Sequence, residues 1–351
     1  MVPAGGAGTR LWPLSRAGSP KFLHDLTGSG RTLLQATHDR LAPLVGDRVL
    51  VVTGVAHQDA VRRQLDVLPA EQVIAEPSPR DSMAAIGLAA AMVERRDPDA
   101  LIGSFAADHV IADADSFRAC VAEAAAVAGT GQLVTIGIAP VRPSTGFGYI
   151  HLGERLDGFP TAHAVAEFVE KPDAARAEQY VESGEYRWNA GMFVARASVL
   201  LDLLAIEHPD LAAGLREIAS APDRLDQVWP GLTKIAIDHA VAEPAAAAGR
   251  VAVVPAGFDW EDIGDFAALS DLLPDAGDGA VKVLGAADAV LALGSSGFVV
   301  PDAGRTIAVL GVPDVVVVDT GDALLVTTKA HAQDVKSVVE ALKASGRDDL
   351  T

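Results

Sequence analysis

The residues with the clearest chemical use stand at the start of the chain. Gly5, Gly6 and Gly8 fall within Ala4-Gly5-Gly6-Ala7-Gly8-Thr9-Arg10-Leu11-Trp12-Pro13-Leu14-Ser15-Arg16, and Pro20-Lys21-Phe22-Leu23 follows. Closely spaced glycines let a backbone take positive φ and approach a ligand, so that successive N–H groups face one anion. Arg10 and Lys21 add fixed positive charge beside that concavity. The chemistry is phosphate handling, by a loop of its own kind. A Walker loop carries Lys-Ser or Lys-Thr directly after its last glycine, and a dinucleotide fingerprint carries a further glycine where Leu11 stands.

Acidic and amide groups follow at the ends of apolar runs. Asp108 closes Phe105-Ala106-Ala107-Asp108, and Asp262 lies in the denser acidic stretch Phe258-Asp259-Trp260-Glu261-Asp262-Ile263-Gly264-Asp265-Phe266. Phe168-Val169-Glu170-Lys171-Pro172 ends an apolar run on a Glu-Lys pair, and Trp188-Asn189-Ala190-Gly191-Met192-Phe193 offers an amide beside a glycine. Asp81, in Glu76-Pro77-Ser78-Pro79-Arg80-Asp81-Ser82, also suits a plain helix N-cap. Pro143-Ser144-Thr145-Gly146-Phe147-Gly148-Tyr149-Ile150 also suits an ordinary turn before a strand. His109 and His239 lack metal-ligand spacing, and the single cysteine, Cys120, reads as a buried structural thiol in an alanine-rich helix. No Ser-His-Asp or Cys-His constellation is apparent.

These blocks together resemble the sugar-1-phosphate nucleotidylyltransferases over most of residues 1–275, and the wording at 10–16 is most like the mannose-1-phosphate guanylyltransferases. The resemblance implies a site. Arg10 and Lys21 would be the catalytic cations, with Gly5, Gly6, Gly8 and Thr9 around the nucleotide. Arg80 and Asp81 would lie beside the base, where this chain has Asp81-Ser82 in place of the usual Asn-Thr; an aspartate accepts but cannot donate as the amide does. Asp108 and Asp262 would hold Mg²⁺, and Gly146, Glu170, Lys171, Asn189 and Gly191 would bind the sugar phosphate. The implied reaction is transfer of GMP from GTP to mannose 1-phosphate, giving GDP-mannose and pyrophosphate. Glucose 1-phosphate or a heptose 1-phosphate stays open as the sugar, as does a non-catalytic nucleotide-sugar-binding regulator. The expected partners are GTP and mannose 1-phosphate, with a homodimer as the candidate assembly, and neither nucleic acid nor a membrane.

The elements that must carry these groups alternate. Apolar runs at 49–53, 73–75, 101–106 and 133–138 are separated by helix-like stretches near 32–42, 56–66, 82–96 and 116–128. Such alternation predicts a Rossmann-like, mostly parallel sheet with helices on both faces, and ligands in such sheets sit at the carboxyl ends of strands. From about 145 to 275 the pattern is mixed, with strands expected at 147–152, 163–170, 190–195 and 250–254, so residues 1–140 read as the nucleotide-binding part and 141–275 as the sugar-binding part. A linker is expected at 274–279. Residues 280–351 read as a small β-rich C-terminal region, a reduced β-helix by resemblance, ending in a helix near 329–343. That tail lacks a His/Glu metal set of the kind an appended isomerase would need.

Composition narrows the rest. Half of the 351 residues are hydrophobic, ample for a core, and one cysteine suits a reducing cytoplasm. A formal net charge of −19 argues against nucleic-acid binding, which needs a basic stripe. It also means that an anionic nucleotide must be met by a few local cations. There is neither a secretory leader nor an 18-residue uncharged apolar run. Only Met1 to Pro3 precede the glycine loop, so the innermost strand is expected to be short and an N-terminal extension to raise stability.

Overall fold

The computed structural model describes residues 1–6, 8–274, 277 and 280–351. The expected linker at 274–279 therefore lies largely outside the described residues. Three parallel strands, β1 (Val2–Ala4), β2 (Val51–Gly54) and β3 (Val73–Glu76), form one sheet in the order β1-β2-β3. Strands β4 (Leu101–Ser104), β5 (His109–Ile111), β6 (Leu133–Ile138), β7 (Tyr149–Arg155), β8 (His163–Val169), β9 (Tyr186–Arg196) and β10 (Val251–Pro255) come next in the chain. All but β5 join a second sheet in the order β4-β9-β6-β10-β8-β7. Backbone bonds from Phe105 N–H to Met1 C=O and from Ala107 N–H to Pro3 C=O, each 3.1 Å, stitch the two sheets edge to edge along β1.

The expected α/β architecture is there, with β6 and β10 parallel and β1 to β3 parallel. The strand expected at 190–195 is the core of β9, which begins earlier, at Tyr186, and takes a place the alternation did not disclose. This 11-residue strand enters antiparallel between β4 and β6 and also pairs with β7, so the strands of residues 141–275 pair largely antiparallel. Its central residues are buried on both faces, and its last residues run straight into α6, which starts at Ala197.

Helices α1 (Leu33–Val45), α2 (Gln58–Gln64), α3 (Asp81–Arg96) and α4 (Ala114–Ala128) link the strands of the first part. In the second part lie α5 (Ala174–Ser183), α6 (Ala197–Glu207), α7 (Pro209–Ser220), α8 (Leu225–Val228) and α9 (Glu243–Ala247). Because side chains alternate across a strand, Leu133, Phe193, Val251 and Val253 face α3, α6 and α7 in one core. Val134, Val194, Ala252 and Val254 face α1 and α4 in the other. Cys120 is buried in that second core, and burial pushes its thiol up to about 12. This fits a packing role rather than a nucleophile.

After β11 (Trp260–Asp262) and α10 (Phe266–Leu272) comes the C-terminal region: β12 (Val281–Val283), β13 (Val290–Leu293), β14 (Gly297–Pro301), β15 (Ile307–Leu310), β16 (Val315–Asp319), β17 (Leu324–Thr328) and α11 (Val335–Ala344). Strands β12, β14 and β16 stack in parallel, β13 and β15 pair in parallel, and β17 closes the edge antiparallel. This is successive coiling of short rungs. Gly297 makes the closest approach between rungs, since a Cβ there would lie 1.9 Å from the Val315 carbonyl oxygen. Among the described residues, no helix is long and apolar enough to cross a membrane.

Candidate active site

The glycine loop leaves β1 and turns into a short 3-10 helix at Thr9–Leu11. Gly6 and Gly8 take φ of 84° and 63°, in the left-handed region where a side chain is strained. Gly8 also has no room for one, because a Cβ would come within 3.1 Å of both Lys21 Cβ and Ser15 Oγ. The loop is thereby laid against Lys21.

Lys21 is the centre of the charged site. Its Nζ lies 2.9 Å from Asp108 Oδ2 and 2.7 Å from Asp262 Oδ1, and donates to the Ile263 carbonyl at 3.1 Å. Sheet pairing brings the two aspartates together across the chain: β11 runs antiparallel to β5, with Asp262 opposite His109, the residue after Asp108. Burial alone would lower the Lys21 pKa, but the two carboxylates outweigh it and hold the ammonium above the ordinary lysine value. Burial likewise works against ionisation of Asp262, and Lys21 above all brings it below the usual carboxylate range. Burial lowers the neighbouring His109, whose ring packs edge-on against Trp260 at 5.2 Å, so it is held neutral.

A cleft of about 320 Å³ opens beside this cluster, lined by Gly5, Gly6, Glu76, Asp81, Ser82 and Asp108 among others. Asp81 has φ 64° and among the described residues accepts only from the Ser82 N–H, at 3.1 Å, so it does not act as the side-chain cap of α3. Ser82 Oγ instead accepts from Ile237 N–H at 2.9 Å. Arg80 turns away from the cleft to donate to the Pro230 carbonyl. Burial pushes the Glu76 carboxyl up to about 7.

The residues expected to meet the sugar phosphate gather around β7, β8 and β9. Pairing of Tyr149 with Val169 and with Trp188 sets the Gly146–Gly148 turn, Glu170 and Asn189 side by side. Gly148 makes this possible: a Cβ there would lie 2.5 Å from Glu170 Oε2. Lys171, at φ 46°, has its side chain 61% exposed and donates to Glu170 Oε1 at 2.7 Å. That bond, with Asp238 and Asp81 adding their charge, raises the Lys171 pKa. Asp81, which lines the cleft, is thus among the charges near Lys171. Gly146 is exposed, its N–H on Ser144 Oγ at 3.2 Å, and Gly191 sits at φ 65° next to Asn189.

Asn189 differs from expectation. Its Oδ1 already accepts from Thr135 Oγ1 at 3.0 Å and from Gly191 N–H at 3.1 Å, and its Nδ2 donates to Asp238 Oδ1 at 2.6 Å. Both lone pairs are occupied, so it cannot also accept from a sugar hydroxyl. The carboxylate it orients, Asp238, begins a π-helical turn at Asp238–Ala242, and burial and the nearby Glu170 raise its pKa. The sequence alone points to no role for Asp238, because nothing local ties it to residues far upstream. Thr135 was missed for the same reason.

Among the described residues, no group of three or more His, Cys, Asp or Glu side chains forms a metal cage. Asp108 and Asp262 converge on one point all the same, and two carboxylates suit a cation that completes its shell with phosphate oxygens and water.

Residues 1–278 match the nucleotidyl transferase family. The chain belongs to that family. Residues 288–342 match the MannoseP isomerase/GMP-like beta-helix domain, in keeping with the stacked rungs. The chain is 40% identical to a mannose-1-phosphate guanylyltransferase of Escherichia coli (strain K12), over 99% of this chain and 74% of that protein. It is 37% identical to one from Klebsiella pneumoniae over the same shares. A crystal structure from Thermus thermophilus, described as a mannose-1-phosphate geranyltransferase, superposes with a TM-score of 0.88 at 34% identity, covering 97% of this chain and 98% of that one. Members of this nucleotidyl transferase family generally use a divalent metal.

Proposed function

We propose that the chain transfers GMP from GTP to mannose 1-phosphate, releasing pyrophosphate and forming GDP-mannose. The observation that carries the reading is the meeting of Lys21 with the Asp108/Asp262 pair against the glycine loop, beside a cleft lined by Gly5, Gly6, Asp81 and Asp108. The relatives named above support the choice of base and sugar.

The attacking oxygen belongs to the sugar phosphate and is already anionic. It forms a bond to the α-phosphorus as the α–β bridging P–O bond breaks, and the electron pair leaves with pyrophosphate. No protein base is required, so the chain's task is alignment of two anions and neutralisation of charge. Gly5, Gly6, Gly8 and Thr9 direct backbone donors at the phosphates, while Arg10 and Lys21 steady the triphosphate and the leaving pyrophosphate. Asp81 borders the base; Arg80 holds its loop to Pro230. Lys171 orients the sugar phosphate, with Glu170 and Asp238 available to accept from sugar hydroxyls and Asn189 and Gly191 shaping that wall. Mg²⁺ on Asp108 and Asp262 would supply charge neutralisation between the phosphates when bound. The cleft's acidic lining, with Asp81 and Asp108 on it, supports the need for such a cation beside the incoming anion.

One buried thiol supports a cytoplasmic setting. For assembly we infer a homodimer through a groove of about 480 Å³ on the C-terminal region, whose apolar walls include Leu310, Leu324 and Val326. The face is mostly apolar, its charges being the paired Arg305 and Asp319, and this suits contact between two chains that each carry −19. A single-chain mass by light scattering would remove that inference.

The deciding experiment is pyrophosphate release with Mg²⁺ over GTP, ATP, UTP and dTTP against mannose, glucose and heptose 1-phosphates. Release confined to GTP with mannose 1-phosphate is expected. Folded protein silent across the whole matrix would defeat the catalytic reading.

A further inference from the structure

The C-terminal region does more than cap the catalytic part, because it reaches both arginines of the glycine-loop block. Arg16 makes a two-pronged ion pair with Asp322, at 2.7 and 2.6 Å, and Trp12 Nε1 donates to the Leu350 carbonyl at 2.7 Å. Arg10 Nη1 donates to Gln333 Oε1 at 2.9 Å, and Gln333 Nε2 donates onward to Asp265 Oδ2. The backbones that carry these groups are held in one core: Leu11, Trp12, Ile263 and Phe266 pack with Ala332 and Val335, which flank Gln333.

We propose that Gln333 is a positioning residue, whose side-chain amide keeps Arg10 apart from Asp265 and so reserves the Arg10 charge for the nucleotide phosphates. The inference rests on the reading of Arg10 as a phosphate-binding residue. Arg10 lies in acidic surroundings: its charge is felt at Asp262, and one of its nitrogens comes within 3.9 Å of where a Gly264 side chain would begin. Among the described residues it nonetheless makes no ion pair within 4.0 Å. Asp265 is the obvious partner, 6% exposed and held rigid as the N-cap of α10, where Oδ1 accepts from Ala267 N–H at 2.7 Å and Ala268 N–H at 3.0 Å. Its other oxygen is taken by the Gln333 amide.

A glutamine alone among polar side chains of this reach serves both neighbours at once, its oxygen for the guanidinium and its NH₂ for the carboxylate, without adding charge. A carboxylate at 333 would neutralise Arg10 and repel Asp265. An alanine would free Arg10 to collapse onto Asp265. In both cases the arginine would have to break an ion pair before meeting a phosphate.

The test is steady-state pyrophosphate release by the full chain, with GTP and mannose 1-phosphate varied separately, for Q333A, Q333E, R10A and D322A. Q333A is expected to raise KM for GTP about three- to tenfold, the worth of an exposed charge-assisted hydrogen bond, with KM for mannose 1-phosphate unchanged. Q333E is expected to raise KM for GTP further, by about tenfold or more, because a new ion pair competes directly. D322A breaks a contact between the same two regions at Arg16 and is expected to leave KM for GTP as it was. An unchanged KM for GTP in Q333A, or Q333E no worse than Q333A, would overturn the proposal. A D322A effect equal to that of Q333A would overturn it too, by showing general loosening of the contact. Full activity in R10A would remove its foundation, a result distinguishable from the others because it concerns Arg10 itself.

Discussion

The two walls of the cleft handle charge in opposite ways. On the nucleotide wall Lys21 is closed in, its side chain 11% exposed between two carboxylates and a backbone carbonyl. On the proposed sugar wall Lys171 stands 61% exposed, hydrogen-bonded to Glu170, near a network in which Thr135, Gly191 and Asp238 all bond Asn189. A charge locked among partners is preorganised, and preorganised charge acts where charge moves in the transition state. An exposed charge is mobile and screened, and serves capture more than chemistry. The nucleotide wall should therefore govern turnover, and the sugar wall affinity.

Lys21→Ala is the sharpest way to break that contrast. It should lower kcat by roughly 10²–10³-fold, by analogy with a lost transition-state donor, and leave Asp108 and Asp262 facing each other unneutralised. Pyrophosphate release at saturating substrates measures it, and unchanged turnover would defeat the assignment of Lys21.

Next in size is Lys171→Ala. Loss of a charge-assisted contact to a phosphate should raise KM for mannose 1-phosphate by about 10- to 100-fold while kcat falls much less. If kcat collapsed instead, the two walls would not differ in the way their exposure suggests.

Asp108→Asn should raise the Mg²⁺ concentration needed for half-maximal rate by about tenfold or more while leaving mannose 1-phosphate affinity in place. Titration of the rate with Mg²⁺ decides it, and the reverse pattern would move Asp108 out of the metal site.

The smallest expected effect is a stability change with pH at Glu76, whose burial on the nucleotide wall lifts its carboxyl to about 7. Below about pH 4, folded and unfolded chains both hold the proton; from about 4.3 upward the unfolded chain loses it first. The folded state is then the one binding more protons, so stability falls as pH rises towards 7 and stays lowered above it. Glu76→Gln should remove that loss and raise the melting temperature by about 2 °C at pH 8, with no gain at pH 4. Equal melting temperatures at pH 8 would show that Glu76 ionises freely.

Much of the fold was legible in the chain because its first part is built from local signals. Apolar runs at 73–75 and 133–138 became β3 and β6 with little change in bounds, and the Ala-rich stretches between runs became α3 and α4. Irregularity hid the rest. The tail's uneven glycines left the stacked rungs to the family resemblance alone, because each strand there is only three to five residues long and pairs with one 16 to 18 residues away. The expected closing helix begins only at Val335, after a 3-10 stretch at Lys329–Asp334. That stretch is what delivers Gln333 to the glycine loop.

The sequence by itself determined the chemistry on offer. Glycine spacing dictates where backbone can face an anion, and residue type dictates which groups carry charge or accept a proton; both are local properties of the chain. Only the tertiary structure decided partnership. The β5–β11 pairing brought Asp262 to Asp108, and the antiparallel entry of β9 set Asn189 against Thr135 and Asp238. The packing of the C-terminal core put Gln333 between Arg10 and Asp265. Contacts of this kind join residues from 49 to 323 positions apart. Their geometry depends on the register of strands and the volume of a shared core, which no single stretch of sequence encodes.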